Sequence, residues 1–327
     1  MNRLLAALLA LLVLAGCGED EETPAARSSS SAAPVAITDD TGTRVELDAP
    51  AERVVTVEWD HTENALALGV EPVGAGDAEV YRDWVAAGPP IPEQTESIGT
   101  RSEPSLEKIA ALQPDLIIGG REGVLKNREK LERIAPLVVF DGYVDPAENR
   151  DGAEWDRMVS QFERTAVLLG AEAKAAEVLA GVEEDIEAAR ARIEEAGAAG
   201  DEVALAQGFT SGKPVSRLFD DGAILVEVAR RVGLENAYDG ELQDWGITQV
   251  GLEGMRQVGD ADWLLTMALE GDDPFAGPWA SNPAWQRLPV VEAGHVRAIG
   301  ADTWTWGGPL SAALAAERYA DAVTSGA

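Results

Sequence analysis

The residues that could do chemistry in this 327-residue chain are tryptophans and arginines set beside short apolar runs, and the chemistry they suit is binding. Trp59 follows Val54-Val55-Thr56-Val57. Arg121 follows Leu116-Ile117-Ile118. Trp304 and Trp306 follow the run from Val296 to Ile299 and lead into Gly307-Gly308. Arg217 lies in or beside the run from Val215 to Phe219, and Trp245 sits in a polar loop before Thr248. An indole gives wide apolar contact with little rotamer entropy to lose. A guanidinium gives a planar fork of donors that keeps its charge. If the apolar runs are strands of an open parallel sheet, positions just after them face the crevice where ligands sit. Trp155 and Trp263 fall in helix and strand patterns and read as core, and Trp285, in Asn282-Pro283-Ala284-Trp285, reads as structural.

Signatures of catalysis are missing from the pattern. His61 and His295 are the two histidines, far apart in the chain, so no His-rich metal cluster is available. His61 stands in a polar helix start, where a surface or capping role is ordinary. No G-x-S-x-G elbow, phosphate loop or dinucleotide fingerprint occurs. Acidic residues abound, but nothing singles out a carboxylate pair. Tyr81, Tyr143, Tyr238 and Tyr319 are scattered and do not suggest a tyrosinate iron site. The net charge of −32, from 58 acidic and 26 basic residues, argues against a nucleic-acid partner, because phosphates need a basic surface. Any anion-binding spot must rest on a few placed arginines.

These residues need elements to hold them. Residues 1–16 read as a signal peptide: Arg3 is the positive start, and Leu4 to Leu14 is an apolar run too short to span a bilayer. Leu14-Ala15-Gly16-Cys17 resembles a bacterial lipoprotein processing box, which makes the sole cysteine, Cys17, a site of lipidation. Residues 17–36 hold acids, four successive serines and two prolines, and read as a lipid-anchored flexible tether. About 290 residues then remain, enough for two domains. Strands and helices alternate through 37–170 and again through 197–327, which predicts two α/β lobes with mostly parallel sheets. A hairpin should turn at Asp40-Thr41-Gly42. Between the lobes, residues 171–196 form a helix with Val178, Leu179, Val182, Ile186 and Ile193 at helical spacing. At helical rise it spans about 39 Å, long enough to act as a rigid strut. Ser105-Leu106-Glu107 leading to Asp115, and Gly251-Leu252-Glu253 leading to Asp262, look like one unit used in both lobes.

The stretch from Trp59 to Val70 with Pro72-Val73-Gly74 resembles the opening of the iron–siderophore substrate-binding proteins of ABC importers. Tyr81-Arg82-Asp83-Trp84-Val85, the run from Ile98 to Glu107, and Ala111 to Ile117 continue that pattern. Trp304-Thr305-Trp306-Gly307-Gly308-Pro309-Leu310-Ser311 is similar to the family's closing motif. The likeness covers roughly residues 37 to 325, and the ferric citrate and hydroxamate binders are nearest. It implies a helical-backbone periplasmic-binding-protein fold: two lobes, one long helix, a shallow cleft and limited hinge motion. It implies that Arg101, Trp245 and Trp304 line the cleft, with Tyr81 in the matching motif. Arg121 and Val124 stand where some members place a first-lobe aromatic. It further implies that Glu107 and Glu253 dock on the permease, although an acid in a first helical turn also complements the helix dipole. The expected ligand is a ferric siderophore whose chelator fills the metal's coordination sphere, so the protein needs no cofactor and no metal ligands of its own. The protein is expected to be a monomer that does no catalysis. Rival readings are a same-fold binder of haem or a corrinoid, and a secreted surface hydrolase.

Overall fold

β1 (Val35–Thr38) and β2 (Arg44–Leu47) open the fold as an antiparallel hairpin in the register Val35↔Leu47 to Thr38↔Arg44. Its turn is held by Asp39, whose carboxylate accepts from the backbone N–H groups of Thr41 and Thr43 at 2.9 Å each. This computed structural model describes residues 33–325 apart from Asp151 and Glu270. The expected signal peptide, Cys17 and most of the tether lie outside the described residues.

Five parallel strands form the first sheet: β3 (Val54–Thr56), β4 (Gly74–Ala75), β5 (Glu96–Ser97), β6 (Leu116–Gly120) and β7 (Leu137–Phe140), in the order β5-β4-β3-β6-β7. Alternate residues serve opposite faces, and both faces are buried. Val54, Leu116, Ile118, Val138 and Phe140 pack on helices Trp59–Ala67 and Ala153–Leu169. Val55, Ile117, Leu137 and Val139 pack with Ile98, Ile109 and Leu131 on the other side. A parallel sheet covered on both faces needs such unbroken apolar runs.

The second sheet contains β8 (Glu202–Phe209), β9 (Val215–Phe219), β10 (Glu235–Asn236), β11 (Ile247–Val250), β12 (Trp263–Met267) and β13 (Val296–Ala298). Its path is β11-β9-β8-β12-β13, with β10 also on β8. β9 runs antiparallel to both β8 and β11, and the remaining pairs are parallel. The two repeated segments converge on one structural task. Asp115 accepts from the backbone N–H groups of Glu52 and Arg53 at 2.9 Å, and Asp262 accepts from that of Glu202 at 2.8 Å. Each acid therefore anchors the start of the central strand beside it.

The long helix spans Glu172–Glu195, about 36 Å at helical rise. Its first turns, through Ala175, Val178 and Leu179, pack on the first sheet's core. Val182, Ile186, Ala189 and Ile193 pack on the core of the second. The closing helix, Pro309–Thr324, lies against it, and Ala312, Ala315, Ala316, Tyr319 and Ala320 are buried in that second core. The segment before the closing helix crosses back, however. Trp304 is buried among Trp59, Leu66, Tyr81 and Ile91 of the first half.

Glu63, on helix Trp59–Ala67, fixes that crossing. Its carboxylate accepts from the Gly308 N–H at 3.1 Å, the Ser311 N–H at 2.9 Å and the Ser311 hydroxyl at 2.5 Å. These are free groups of the closing helix's first turn, so a residue on one side caps a helix on the other. Gly307-Gly308 is required by the close approach. A Cβ at Gly308 would fall 2.3 Å from Asn64 Oδ1, and one at Gly307 would fall 2.8 Å from Glu63 Oε2.

Two expectations need correction. His61 is not a surface residue: it is 1% exposed, with its ring 5.3 Å from Phe140. Trp263 is only half-buried, stacked on His295 at 4.5 Å with its indole N–H donating to Asp201. After β6 and a single helical turn at Arg121–Val124, a 3-10 turn at Leu125–Asn127 leads into a short helix at Arg128–Leu131.

Two outcomes follow for stability. Gly181 sits in the long helix with open space around its missing Cβ. Gly181→Ala should stabilise the fold by about 1 kcal/mol, read as a higher melting temperature. Burial pushes the Glu63 carboxyl up to about 7 from 4.5, against the hydrogen bonds from Ser311 and Gly308. The folded state then holds a proton that the unfolded chain has lost between those values. The contribution is therefore complete below pH 4.5 and is lost as pH rises through 7, amounting to about 3 kcal/mol at most. Melting curves between pH 5 and 8 should show a falling stability that is flatter in Glu63→Gln.

Candidate functional site

A cleft of about 570 Å³ opens between the two sheets. Its first wall comes from the loops that follow successive parallel strands. Glu58 and Trp59 follow β3, Asp77 and Val80 follow β4, Arg101 and Ser102 follow β5, and Glu122 and Gly123 follow β6. The order β5-β4-β3-β6-β7 turns back on itself at β3, and ligands sit beyond the carboxyl ends of strands at such points. The second wall holds Gln207 and Phe209 of β8, Arg217 of β9, Trp245 and Ile247 at the start of β11, and Trp304 and Trp306 after β13.

Indoles run through the cleft as one connected set. Trp59 and Trp304 have centroids 4.6 Å apart, Trp304 and Trp306 5.3 Å, and Trp306 and Trp245 5.8 Å. Trp84 joins them at 6.4 Å from Trp304 and 6.2 Å from Phe209. Tilted and edge-on pairs of this kind add about 0.5–1.5 kcal/mol each beyond burial. Two of them are fixed by their polar ends. Trp59 Nε1 donates to Gly76 O at 3.0 Å, and Trp306 Nε1 donates to Trp245 O at 3.1 Å.

Trp245 is held in an unusual way. Its φ of 64° is left-handed, which costs a non-glycine residue about 1–3 kcal/mol. That backbone swings the indole across the cleft onto Gly142, where a Cβ would come within 2.3 Å of the ring, and to 5.2 Å from Tyr143. An aromatic residue of one half is thereby seated on the other.

Both cleft arginines are stacked as well as hydrogen-bonded. The Arg101 guanidinium carbon lies 4.0 Å from the Trp59 ring and 5.3 Å from that of Trp304. Arg101 Nη1 donates to Glu58 Oε1 at 2.6 Å. Burial pushes the Glu58 carboxyl up, while the guanidinium pulls it down. Arg217 lies 4.9 Å from the Phe209 ring and 5.5 Å from Trp306, and Nη1 donates to Gln207 Oε1 at 3.1 Å. Burial holds Arg217 below its ordinary value, and the charge of Arg101 adds to the shift. The two cations thus feel one another across the same space.

Trp59, Arg101, Arg217, Trp245, Trp304 and Trp306, all anticipated in the sequence, line this one cleft. Tyr81 and Arg121 do not. Tyr81 is 1% exposed and stands edge-on behind Trp59 at 6.1 Å, and burial keeps its phenol well above the ordinary range. Arg121 turns away to pair with Asp141 and donates to Asp40 O at 3.2 Å, and the Asp141 contact holds its proton more firmly. Glu107 and Glu253 are exposed in the first turns of helices Leu106–Ala111 and Leu252–Val258, away from the cleft lining. Sequence reasoning missed Glu58, Asp77, Trp84, Gln207 and Phe209. Of these, Glu58 and Asp77 could have been found, because each follows a strand as the chosen tryptophans do.

The profile described as "Periplasmic binding protein" matches residues 54–303. The iron(3+)-hydroxamate-binding protein FhuD of Escherichia coli is 30% identical over 261 residues, covering 80% of this chain and 83% of that protein. The Fe(3+)-citrate-binding protein YfmC of Bacillus subtilis is 28% identical over 298 residues, covering 91% and 88%. Among solved structures, FhuD of Vibrio cholerae with bound Fe3+–Desferal superposes with a TM-score of 0.74 at 29% identity, covering 84% of this chain and 98% of that one. With two sheets, a joining helix and an aromatic cleft between them, and with these matches, the chain belongs to the periplasmic binding protein family.

Proposed function

We propose that this protein captures a ferric siderophore in the cleft between its sheets and delivers it to an ABC permease for iron uptake. The observation that carries the reading is the convergence of five indoles and two guanidinium groups, from both halves of the chain, on one space of about 570 Å³. That volume suits a compact organic complex. A siderophore wraps its iron in oxygen ligands and turns an apolar rim outward. Indole faces suit the rim, and guanidinium donors suit the oxygens. Among the described residues, no group of three or more His, Cys, Asp or Glu is placed to hold a bare metal ion. The iron is cargo carried inside its chelator, and the protein supplies walls rather than ligands.

The relatives' names support binding as the role, so the chain is taken to act on its ligand without transforming it. Cys17 would carry lipid after removal of residues 1–16, tethering the monomer outside the cytoplasm by a flexible segment. Glu107 and Glu253 stand in matched segments of the two halves and form no ion pair among the described residues, which leaves them available to arginines of a permease.

Tryptophan fluorescence should be quenched saturably by a ferric hydroxamate such as ferrioxamine. Trp306→Ala should weaken that binding by about tenfold or more, by removing one wall and the support of Trp245. Saturable quenching by haem or a corrinoid, with none by ferric siderophores, would overturn the reading. The double variant Glu107→Ala/Glu253→Ala should keep ligand affinity and lose uptake of labelled iron by cells. Normal uptake would remove the docking role from these residues.

A further inference from the structure

The cleft is less cationic than its arginines suggest. Arg101 is already neutralised where it stands. Its Nη1 is 2.6 Å from Glu58 Oε1, and its Nε is 3.6 Å from Asp77 Oδ2. That Asp77 oxygen also accepts the Arg101 backbone N–H at 3.0 Å, so the loop after β4 fixes the loop after β5. Indole faces cover the guanidinium on two sides, at 4.0 and 5.3 Å. Nη1 makes the one hydrogen bond of this guanidinium among the described residues, and the Asp77 contact at Nε is an ion pair only, so it is the charge that is balanced. The side chains of Arg101, Glu58 and Asp77 are 31%, 24% and 25% exposed, so all three charges can be felt by an occupant.

Glu122 adds a third carboxylate to the lining. Arg217 is the cleft guanidinium with no carboxylate partner among the described residues; its polar partner is Gln207. Three carboxylates thus face two guanidinium groups, within a chain whose net charge is −32. Inside a low-dielectric cleft such a balance acts strongly on an occupant's charge, and it penalises anions.

Ferric complexes differ in this respect. Three hydroxamates, each carrying one negative charge, neutralise Fe(III), and an amine tail makes the complex cationic. Three catecholates carry two charges each and leave the complex triply anionic. Carboxylate and alkoxide donors, as in citrate, also leave it anionic. Resting on the siderophore reading above, we infer that Glu58 and Asp77 determine ligand specificity. By occupying Arg101, they make the cleft select ferric complexes of zero or positive charge, the trihydroxamate type, and reject polyanionic ones. The discrimination works by repulsion of the wrong ligand as much as by attraction of the right one.

The test compares three probes by tryptophan quenching: cationic ferrioxamine B, a ferric tris-catecholate and ferric citrate. Each is titrated into the wild type, Glu58→Gln, Asp77→Asn and the double variant. The wild type should prefer ferrioxamine by about a hundredfold, and the preference should shrink as salt is raised. The double variant should lose about tenfold or more of that preference, mainly by gaining affinity for the anionic complexes, because Arg101 becomes free to meet them. General loosening of the fold would weaken all three probes together, which a change in their ratio does not. Should the double variant fail to fold, Glu58→Gln alone is read, since its amide oxygen can still accept from the Trp59 N–H and from Arg101. An unchanged ratio in the variants, or equal wild-type affinity for all three probes, would overturn the inference while leaving siderophore binding intact. Binding of none of the three by the wild type would overturn the siderophore reading, and this inference with it.

Discussion

Glu63 has no route to solvent, yet its carboxylate is met by three donors, all from the far end of the chain. A buried carboxylate costs several kcal/mol unless its oxygens are satisfied. Here the satisfaction comes from the first turn of the closing helix, whose amide groups would otherwise lack partners. Each side therefore offsets part of the other's penalty, although burial still leaves the carboxyl raised to about 7. The Trp304–Trp306 segment lies immediately before this contact. Its position against Trp59 follows from where Glu63 holds the helix, so the shape of the cleft depends on a carboxylate that does not line it.

The walls then solve a second problem. Two guanidinium groups facing one cleft repel each other, and burial makes this worse, as the lowered Arg217 shows. Stacking offsets part of that cost: each cation lies on two aromatic rings. Hydrogen bonding to Glu58 and Gln207 offsets more. The tryptophans thus have two uses, contact for a ligand and a seat for the arginines. Replacing an indole disturbs the charge pattern as well as the apolar surface.

Much of this was legible in the sequence because it rests on local periodicity. β3, β6, β9 and β13 fall where the apolar runs put them. Trp59, Trp304 and Trp306 were legible because positions after strands share one edge of a sheet. The partners of each charge were not. Arg121 follows a strand as Trp59 does, but Asp141, twenty residues later, draws it aside. His61 looked exposed from its polar neighbours, whereas the whole helix Trp59–Ala67 is enclosed between layers. Glu63 and Ser311 are 248 residues apart, and no spacing rule connects them. Long-range pairing of polar groups depends on how the layers meet, and a linear pattern carries that only weakly.

The ties between the halves bear on how the cleft can work. The long helix is shared by both cores, Glu63 clasps the closing helix, and the Trp245 ring rests on Gly142. The last contact uses a strained backbone, so the surrounding packing must hold Trp245 in place against its own preference. A cleft tied at several points has little ordering left to do when a ligand arrives. Its binding energy is then not consumed by closure, and selectivity has to come from walls already in position. That places the burden on fixed charges. A flexible cleft could turn Arg101 toward whichever oxygens arrived, but one with Arg101 clamped between Glu58, Asp77 and two indoles presents the same field to every ligand.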